Sequence, residues 1–239
     1  MYKKIVLKKG KEESLLRRHP WIFSGAILEK DETLQEGDLV KVYTRDGNFM
    51  GVGHFQIGSI TVRILSFHDV PIDADFWQSR LKAAVAVREA IGVIRPEESV
   101  AATDETVNTT YRLVHGEGDN LPGLIVDVYG KTCVLQAHSV GMHVARYEIA
   151  AALHAVMGEK VDSIYYKSET TLPFKAELGQ ENGFLYGDTD NNIAIENGLK
   201  FHIDWLKGQK TGFFIDQREN RSLLEYYAKG RSVLNMFCY

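Results

Sequence analysis

Over the first seventy residues, apolar and polar positions alternate with the period of two that a half-buried strand requires. Residues 39–44 and 49–54 flank Asp46-Gly47, a pair that tolerates the positive φ of a tight turn, and so predict a hairpin; residues 60–67 add a third strand to a small antiparallel unit. From residue 75 to 91 the period changes. Phe76, Leu81, Ala84, Val85, Arg88 and Ile91 fall roughly on one helical face, which predicts a connecting helix, and Arg95-Pro96 with the polar stretch 97–108 marks a loop and the best domain boundary.

Beyond that loop the strand pattern returns. Residues 111–115, 124–128 and 132–136 are strand-like, with Tyr129-Gly130-Lys131 as a turn. Ala145, Ile149, Ala152, Leu153 and Val156 trace an amphipathic helix closed by Gly158. Residues 163–167 form another strand, and 193–196 with 199–203 a hairpin about Asn197-Gly198. Asp216, with Glu219 three positions on, predicts a capped helix whose buried face is Leu223, Leu224 and Tyr227, ending at Lys229-Gly230. The apolar run 232–239 has the composition of a strand buried on both faces of a parallel sheet. Such a strand needs a crossover helix and a neighbour, so the expectation is a fragment cut near the first strand of an α/β domain.

Composition bounds this picture without naming a function. The 239 residues are 44% hydrophobic, 25% charged and 10% aromatic, values of an ordinary globular chain, with no apolar stretch long enough for a membrane span or a signal-peptide core. A cytoplasmic location is expected. Two cysteines, Cys133 and Cys238, offer neither a disulfide framework nor a zinc knuckle. The net charge of −4 disfavours a uniformly basic nucleic-acid binder, but it hides asymmetry: residues 1–25 carry +5, residues 94–130 carry −5 and residues 200–239 carry +3.

Several apparent motifs have plain readings. Gly51-Val52-Gly53 lacks the third glycine of a dinucleotide fingerprint and sits within a hairpin, and Gly130-Lys131-Thr132 lacks the upstream glycine of a phosphate loop. Ser79-Arg80-Leu81-Lys82 with Lys210-Thr211-Gly212 mimics a serine acyl-enzyme pair, but the serine belongs to a charged surface helix. Among eight histidines none has metal-ligand spacing, so no metal is assigned.

Two stretches are richer, and a third is ambiguous. Arg17-Arg18-His19-Pro20-Trp21-Ile22-Phe23 sets cations beside aromatics, as suits phosphates and unpaired bases, although Trp21 and Phe23 could equally be core. Residues 116–123 gather two carboxylates in a glycine-rich loop that is either ligand-orienting or simply stiff. Residues 210–221 place Gln217, Arg218 and Arg221 in the first turns of a helix, where two arginines oppose the dipole; an anion partner or an Arg221–Glu225 ion pair would each account for them.

These three stretches, residues 15–25, 111–124 and 210–221, together resemble the bacterial S-adenosylmethionine-dependent methyltransferases that form 5-methylcytosine in large-subunit ribosomal RNA. The resemblance runs through the whole chain in order. It implies an α+β protein with three parts: an N-terminal PUA domain of β-barrel type for RNA binding (residues 1–72, with a connecting helix and linker over 73–95), a central strand-strand-helix-strand-strand α+β domain (105–191), and the N-terminal edge of a Rossmann-like α/β methyltransferase domain (192–239). It further implies that Phe214, Gln217 and Arg218 border an S-adenosylmethionine pocket and that Arg17, Arg18 and Trp21 belong to an RNA face. Ribosomal RNA is the expected partner, with a homodimer possible and no membrane association. In the family the apolar strand leads to a glycine-containing cofactor loop, an acidic residue for the ribose and a cysteine nucleophile that adds to C6 of cytosine. None of these is present, so the nucleophile is expected beyond Tyr239, Cys238 is not assigned that role, and this chain alone is expected to be inactive. The alternative is a non-enzymatic PUA-type RNA-binding or ribosome-assembly module.

Overall fold

The computed structural model describes residues 2–95, 107–172, 178, 181–189 and 191–236. Most of the boundary loop at 97–108 therefore lies outside the described residues. The N-terminal unit is a six-stranded sheet of β1 (Lys3–Leu7), β2 (Trp21–Phe23), β3 (Ile27–Lys30), β4 (Leu39–Tyr43), β5 (Phe49–Phe55) and β6 (Ile60–Ser66) in the order β2-β6-β5-β4-β1-β3. It is not wholly antiparallel, because β1 runs parallel to β4. Ile5, Leu7, Val40, Val42, Phe55, Val62 and Ile64 close one core with Leu15 from the short helix α1 (Glu13–Leu16). The Gly51 and Gly53 pair has a packing reason: a Cβ on Gly53 would overlap the Arg63 backbone across the β5–β6 ladder.

The connecting helix, α2 (Ala74–Ala90), is capped by Asp73, whose carboxylate accepts the Phe76 N–H at 3.0 Å. Its buried residues are Trp77, Leu81 and Ala84, whereas Ile91, expected on that face, is exposed. Leu81 and Ala84 lie where the periodicity puts them, and Trp77, between Phe76 and Gln78, completes the buried face by stacking on His54 and bonding Glu148 through its indole N–H at 3.1 Å.

The central unit is a five-stranded sheet, β11-β10-β9-β8-β7, built from β7 (Thr110–His115), β8 (Leu124–Tyr129), β9 (Thr132–Ala137), β10 (Ser163–Tyr166) and β11 (Gly183–Tyr186). Three strands, not two, precede its helices α3 (Val140–Val144) and α4 (Arg146–Met157), and two follow, with β9 and β10 parallel across that crossover. Ser139 caps α3, while Ile149, Leu153 and Met157 of α4 bury against the sheet and α2 packs along α4. A separate two-stranded ribbon, β12 (Ile193–Glu196) and β13 (Leu199–His202), turns at Asn197-Gly198, both with positive φ as a type I′ turn requires.

The last segment departs most from the sequence expectation. A 3-10 turn at Ile215–Gln217 leads into α5 (Arg218–Ala228), so Gln217 and not Asp216 occupies the N-cap, and no side chain caps the helix. Leu223, Leu224 and Tyr227 are 53%, 51% and 60% exposed, so the expected buried face is open. Residues 232–236 form no strand, and Leu234 is 82% exposed; residues 237–239, including Cys238, lie outside the described residues. The periodicity is real, but nothing among the described residues packs on that face.

Candidate functional site

The Arg17–Phe23 corner is shaped by a left-handed residue. Arg17 ends α1, and Arg18, at φ 62°, turns the chain so that its guanidinium lies 5.0 Å from the centre of the Phe67 ring. Arg17, Arg18 and Phe23 are exposed, whereas Ile22 between them is core. Trp21 does something the sequence could not show. Its indole N–H donates to Glu117 Oε1 at 2.8 Å, across 96 residues, while its ring meets His19 edge-on. The N-terminal sheet is thereby tied to the glycine-rich loop of the central unit.

That loop is stiff for two reasons. Asp119 accepts the His115 backbone N–H at 2.6 Å and receives both terminal guanidinium nitrogens of Arg88 from α2, one of them at 2.8 Å. Asn120 adopts φ 56° and Gly123 φ 85°, where a side chain at Gly123 would press on Ser139. Glu117, the second carboxylate of the loop, points the other way to Trp21 and lies in the field of Arg63 and His138. Burial lowers the pKa of Arg63, whose Nη1 donates to Gln56 Oε1 at 3.2 Å, and the same oxygen accepts the Val140 N–H. Burial, helped by Arg112, also lowers that of His138.

Residues 210–221 are anchored on the other face of the central sheet. Asp127, fully buried in β8, accepts a bidentate pair from Arg112 at 2.8 and 2.9 Å and the Thr211 hydroxyl at 2.7 Å. The Tyr129 hydroxyl contacts Thr211 Oγ1 at 2.7 Å, and burial raises the Tyr129 pKa. Phe213 packs edge-on against Tyr129, and Phe214 lies under the Lys210 ammonium at 4.6 Å.

The two arginines of α5 share one carboxylate. Glu196, 2% exposed at the end of β12, accepts Arg221 Nε at 2.6 Å and Nη2 at 2.8 Å, and Arg218 Nε at 3.3 Å. Arg218 Nη2 also donates to the Thr110 carbonyl and, at 3.0 Å, to its hydroxyl; Arg221 Nη2 donates to the Phe214 carbonyl at 2.9 Å. The expected Arg221–Glu225 pair is replaced by this clamp, in which a nearly buried carboxylate outcompetes a solvated one. Gln217 is exposed, with its amide group near Asp216 and Asn220.

A hollow of about 450 Å³ is lined partly by Tyr111, Arg112, His115, Ile215 and Arg218; of the three residues expected at the cofactor Arg218 is on its wall, while Phe214 and Gln217 are chain neighbours of Ile215 and Arg218 and do not line it. The Gln217 amide oxygen accepts from Asn220 at 2.7 Å, Phe214 carries the Lys210 ammonium over its ring, and Arg218 is engaged with Glu196 and Thr110. Neither described chemistry supplies a thiolate: Cys133 is fully buried, and burial pushes its thiol up to about 12. Among the described residues no group of three or more His, Cys, Asp or Glu could hold a metal ion, and no helix is long and apolar enough to cross a membrane.

Residues 5–67 match the family of PUA-like domains, and residues 183–239 match the family of S-adenosylmethionine-dependent methyltransferases. Over 242 residues the chain is 38% identical to the ribosomal RNA large subunit methyltransferase I of Pseudoalteromonas atlantica, covering 100% of this chain and 58% of that protein. It is 40% identical to the protein of the same name from Shewanella frigidimarina, covering 99% and 57%. The chain therefore spans somewhat under three fifths of the length of these relatives. In fold it resembles a putative methyltransferase from Streptococcus mutans (TM-score 0.71, 21% identity, 94% of this chain and 54% of that one). It likewise resembles a putative methyltransferase solved with S-adenosylhomocysteine (TM-score 0.72, 21% identity, 94% and 53%). The likeness drawn from the three sequence stretches is borne out by these relatives as a likeness to large-subunit ribosomal RNA methyltransferases with a PUA-like domain.

Proposed function

We propose that this chain is the RNA-recognising and cofactor-entry portion of an S-adenosylmethionine-dependent enzyme that methylates C5 of a cytosine in large-subunit ribosomal RNA. The observation that carries the reading is the joining of the two matched segments through one central sheet. Trp21 of the N-terminal unit bonds Glu117 in the loop after β7, and Thr211 bonds the buried Asp127 of β8. The likeness of this whole chain to part of proteins named as ribosomal RNA methyltransferases supports it.

In this reading residues 1–72 recognise RNA, 73–95 connect, 105–191 form the support and 192–239 open the methyltransferase domain. Arg17 and Arg18 meet phosphates, and Trp21 fixes the corner that presents them. Phe214 and Gln217 border the cofactor, with Arg218 holding the start of α5 through Glu196 and Thr110. The cofactor, when bound, supplies the methyl group. Cytosine C5 becomes nucleophilic only after a thiolate adds to C6, and the Cys133 thiol is too deeply buried and too weakly acidic to serve. The 239-residue span alone is therefore expected not to transfer methyl groups. A cytoplasmic location follows from the ribosomal substrate, and a homodimer is part of the same reading, testable by sedimentation.

The test pairs two measurements. The 239-residue chain, incubated with labelled S-adenosylmethionine and large-subunit ribosomal RNA, should bind the RNA and leave it unlabelled. Robust labelling would overturn the inactive reading, and no RNA binding would overturn the recognition role.

A further inference from the structure

The outer surface of β1 and β4 carries a constellation that neither the Arg17–Trp21 corner nor residues 210–221 use. In this parallel pair Lys4 lies opposite Lys41. Ile5, Leu7, Val40 and Val42 point into the core, so alternation places Tyr2, Lys4, Lys41 and Tyr43 together on the opposite side. Each strand thus presents a lysine and a tyrosine two residues apart, in adjacent rows. Lys4 Nζ sits 5.0 Å from the centre of the Tyr43 ring, and Phe49 braces that ring edge-on at 5.8 Å. Lys41 is held by Asp69 at 2.6 Å, and the Tyr2 hydroxyl is fixed by the Ile72 N–H at 2.8 Å. With Val70 and Pro71 these side chains wall an open groove of about 790 Å³.

Three features narrow the occupant. The two rows carry two cations against the single carboxylate of Asp69, and among the described residues Lys4 has no ion-pair partner. The segment that supplies Lys4 is the most basic of the chain, +5 over residues 1–25. The aromatic faces stand next to the cations, so one ligand must satisfy both. An acidic peptide would pair with the lysines and leave the rings unused, whereas a polynucleotide strand offers phosphates and π-faces at alternate positions.

We propose that this groove is a second RNA contact, which takes single-stranded RNA with a base stacked on Tyr43 and backbone phosphates at Lys4 and Lys41. It rests on the reading that the chain binds RNA, but it is a separate surface. In the order β2-β6-β5-β4-β1-β3 the Trp21 strand is at one edge and the β4–β1 pair lies three strands away. RNA held at both places spans the N-terminal unit, which favours a flexible strand over a rigid duplex.

The experiment is fluorescence anisotropy of a labelled oligouridylate, about a dozen nucleotides long, with the 239-residue chain over a range of salt. Tyr43→Leu should weaken binding about tenfold, within the range measured for loss of one stacked base, while Tyr43→Phe keeps the wild-type affinity. Lys4→Ala, at an exposed position that leaves the fold intact, should lower the log–log salt slope by about 0.7, the share of one single-strand phosphate. Wild-type affinity and slope in both Tyr43→Leu and Lys4→Ala, with Arg17→Ala/Arg18→Ala still weakening binding, would overturn the groove and spare the RNA reading. No binding by the wild-type chain to oligouridylate or to ribosomal RNA would overturn both. Binding of a labelled polyglutamate peptide, sensitive to Lys4→Ala, in place of the oligonucleotide would also overturn the proposal in favour of an acidic protein partner.

Discussion

Lowering the pH should loosen the seam between the N-terminal sheet and the central unit, and His54 sets the size of the effect. Its imidazole is buried at the end of β5, stacked on Trp77 with ring centres 6.3 Å apart and pressed against Gly141 at the start of α3. Burial, with a smaller contribution from Arg63, lowers its pKa from 6.5 to about 4. The sign follows from linkage. Between these two values the unfolded chain binds a proton that the folded chain refuses, so stability is complete above about pH 6.5 and falls as the pH drops toward 4. The full effect is about 3 kcal/mol, of which about 2 kcal/mol is lost between about pH 7.5 and about pH 5. Urea unfolding followed by tryptophan emission is a suitable assay, since Trp77 itself reports on the seam. His138 and His143 shift in the same direction and add to the total slope, so the decisive comparison is with His54→Asn. That variant should be less stable at neutral pH and lose about 2 kcal/mol less than wild type over the same interval. Parallel losses in the two proteins would refute the assignment of the buried neutral imidazole.

Other outcomes follow from the same contacts. Gly141→Ala drives a Cβ into the His54 ring and should cost about 1–3 kcal/mol, read as a lowered thermal midpoint that His54→Ala partly restores. Glu196→Gln removes the charge shared by Arg218 and Arg221 and should destabilise α5 by about 2 kcal/mol, seen as faster amide exchange over residues 218–228 with the central sheet unchanged. Asp127→Asn should loosen residues 210–214 in the same assay, because Thr211 and Arg112 lose their common carboxylate. Arg17→Ala with Arg18→Ala should weaken RNA binding and lower the salt slope by at most about two units; an unchanged slope would make both arginines solvated bystanders.

The elements that were legible in the sequence are those fixed by local chemistry. Asn197-Gly198 needs positive φ and forms its turn, Asp73 caps α2, and the strands about residues 39–44, 49–54 and 60–67 fall where alternation puts them. What stayed hidden depends on partners far along the chain. Arg221 has Glu225 one turn away, yet Glu196, 25 residues upstream, holds it because burial strengthens that pair. The Trp21 indole N–H bonds Glu117, 96 residues on, a contact that no local signal announces. The parallel β1–β4 pairing, which assembles the Tyr2–Lys4–Lys41–Tyr43 surface, joins segments nearly forty residues apart that no turn signal links. Asp216 has the right residue type for a cap, but the 3-10 turn over Ile215–Gln217 makes Gln217 the N-cap and starts the helix one residue later.

The central claim concerns a single modified base in large-subunit ribosomal RNA. It is tested most directly by bisulfite sequencing of that RNA from cells with and without the whole gene for the enzyme of which this chain is proposed to be a portion. The account predicts one cytosine that resists conversion in the parent strain, becomes convertible on deletion and is protected again when the gene is restored. Identical conversion patterns in all three strains would contradict it.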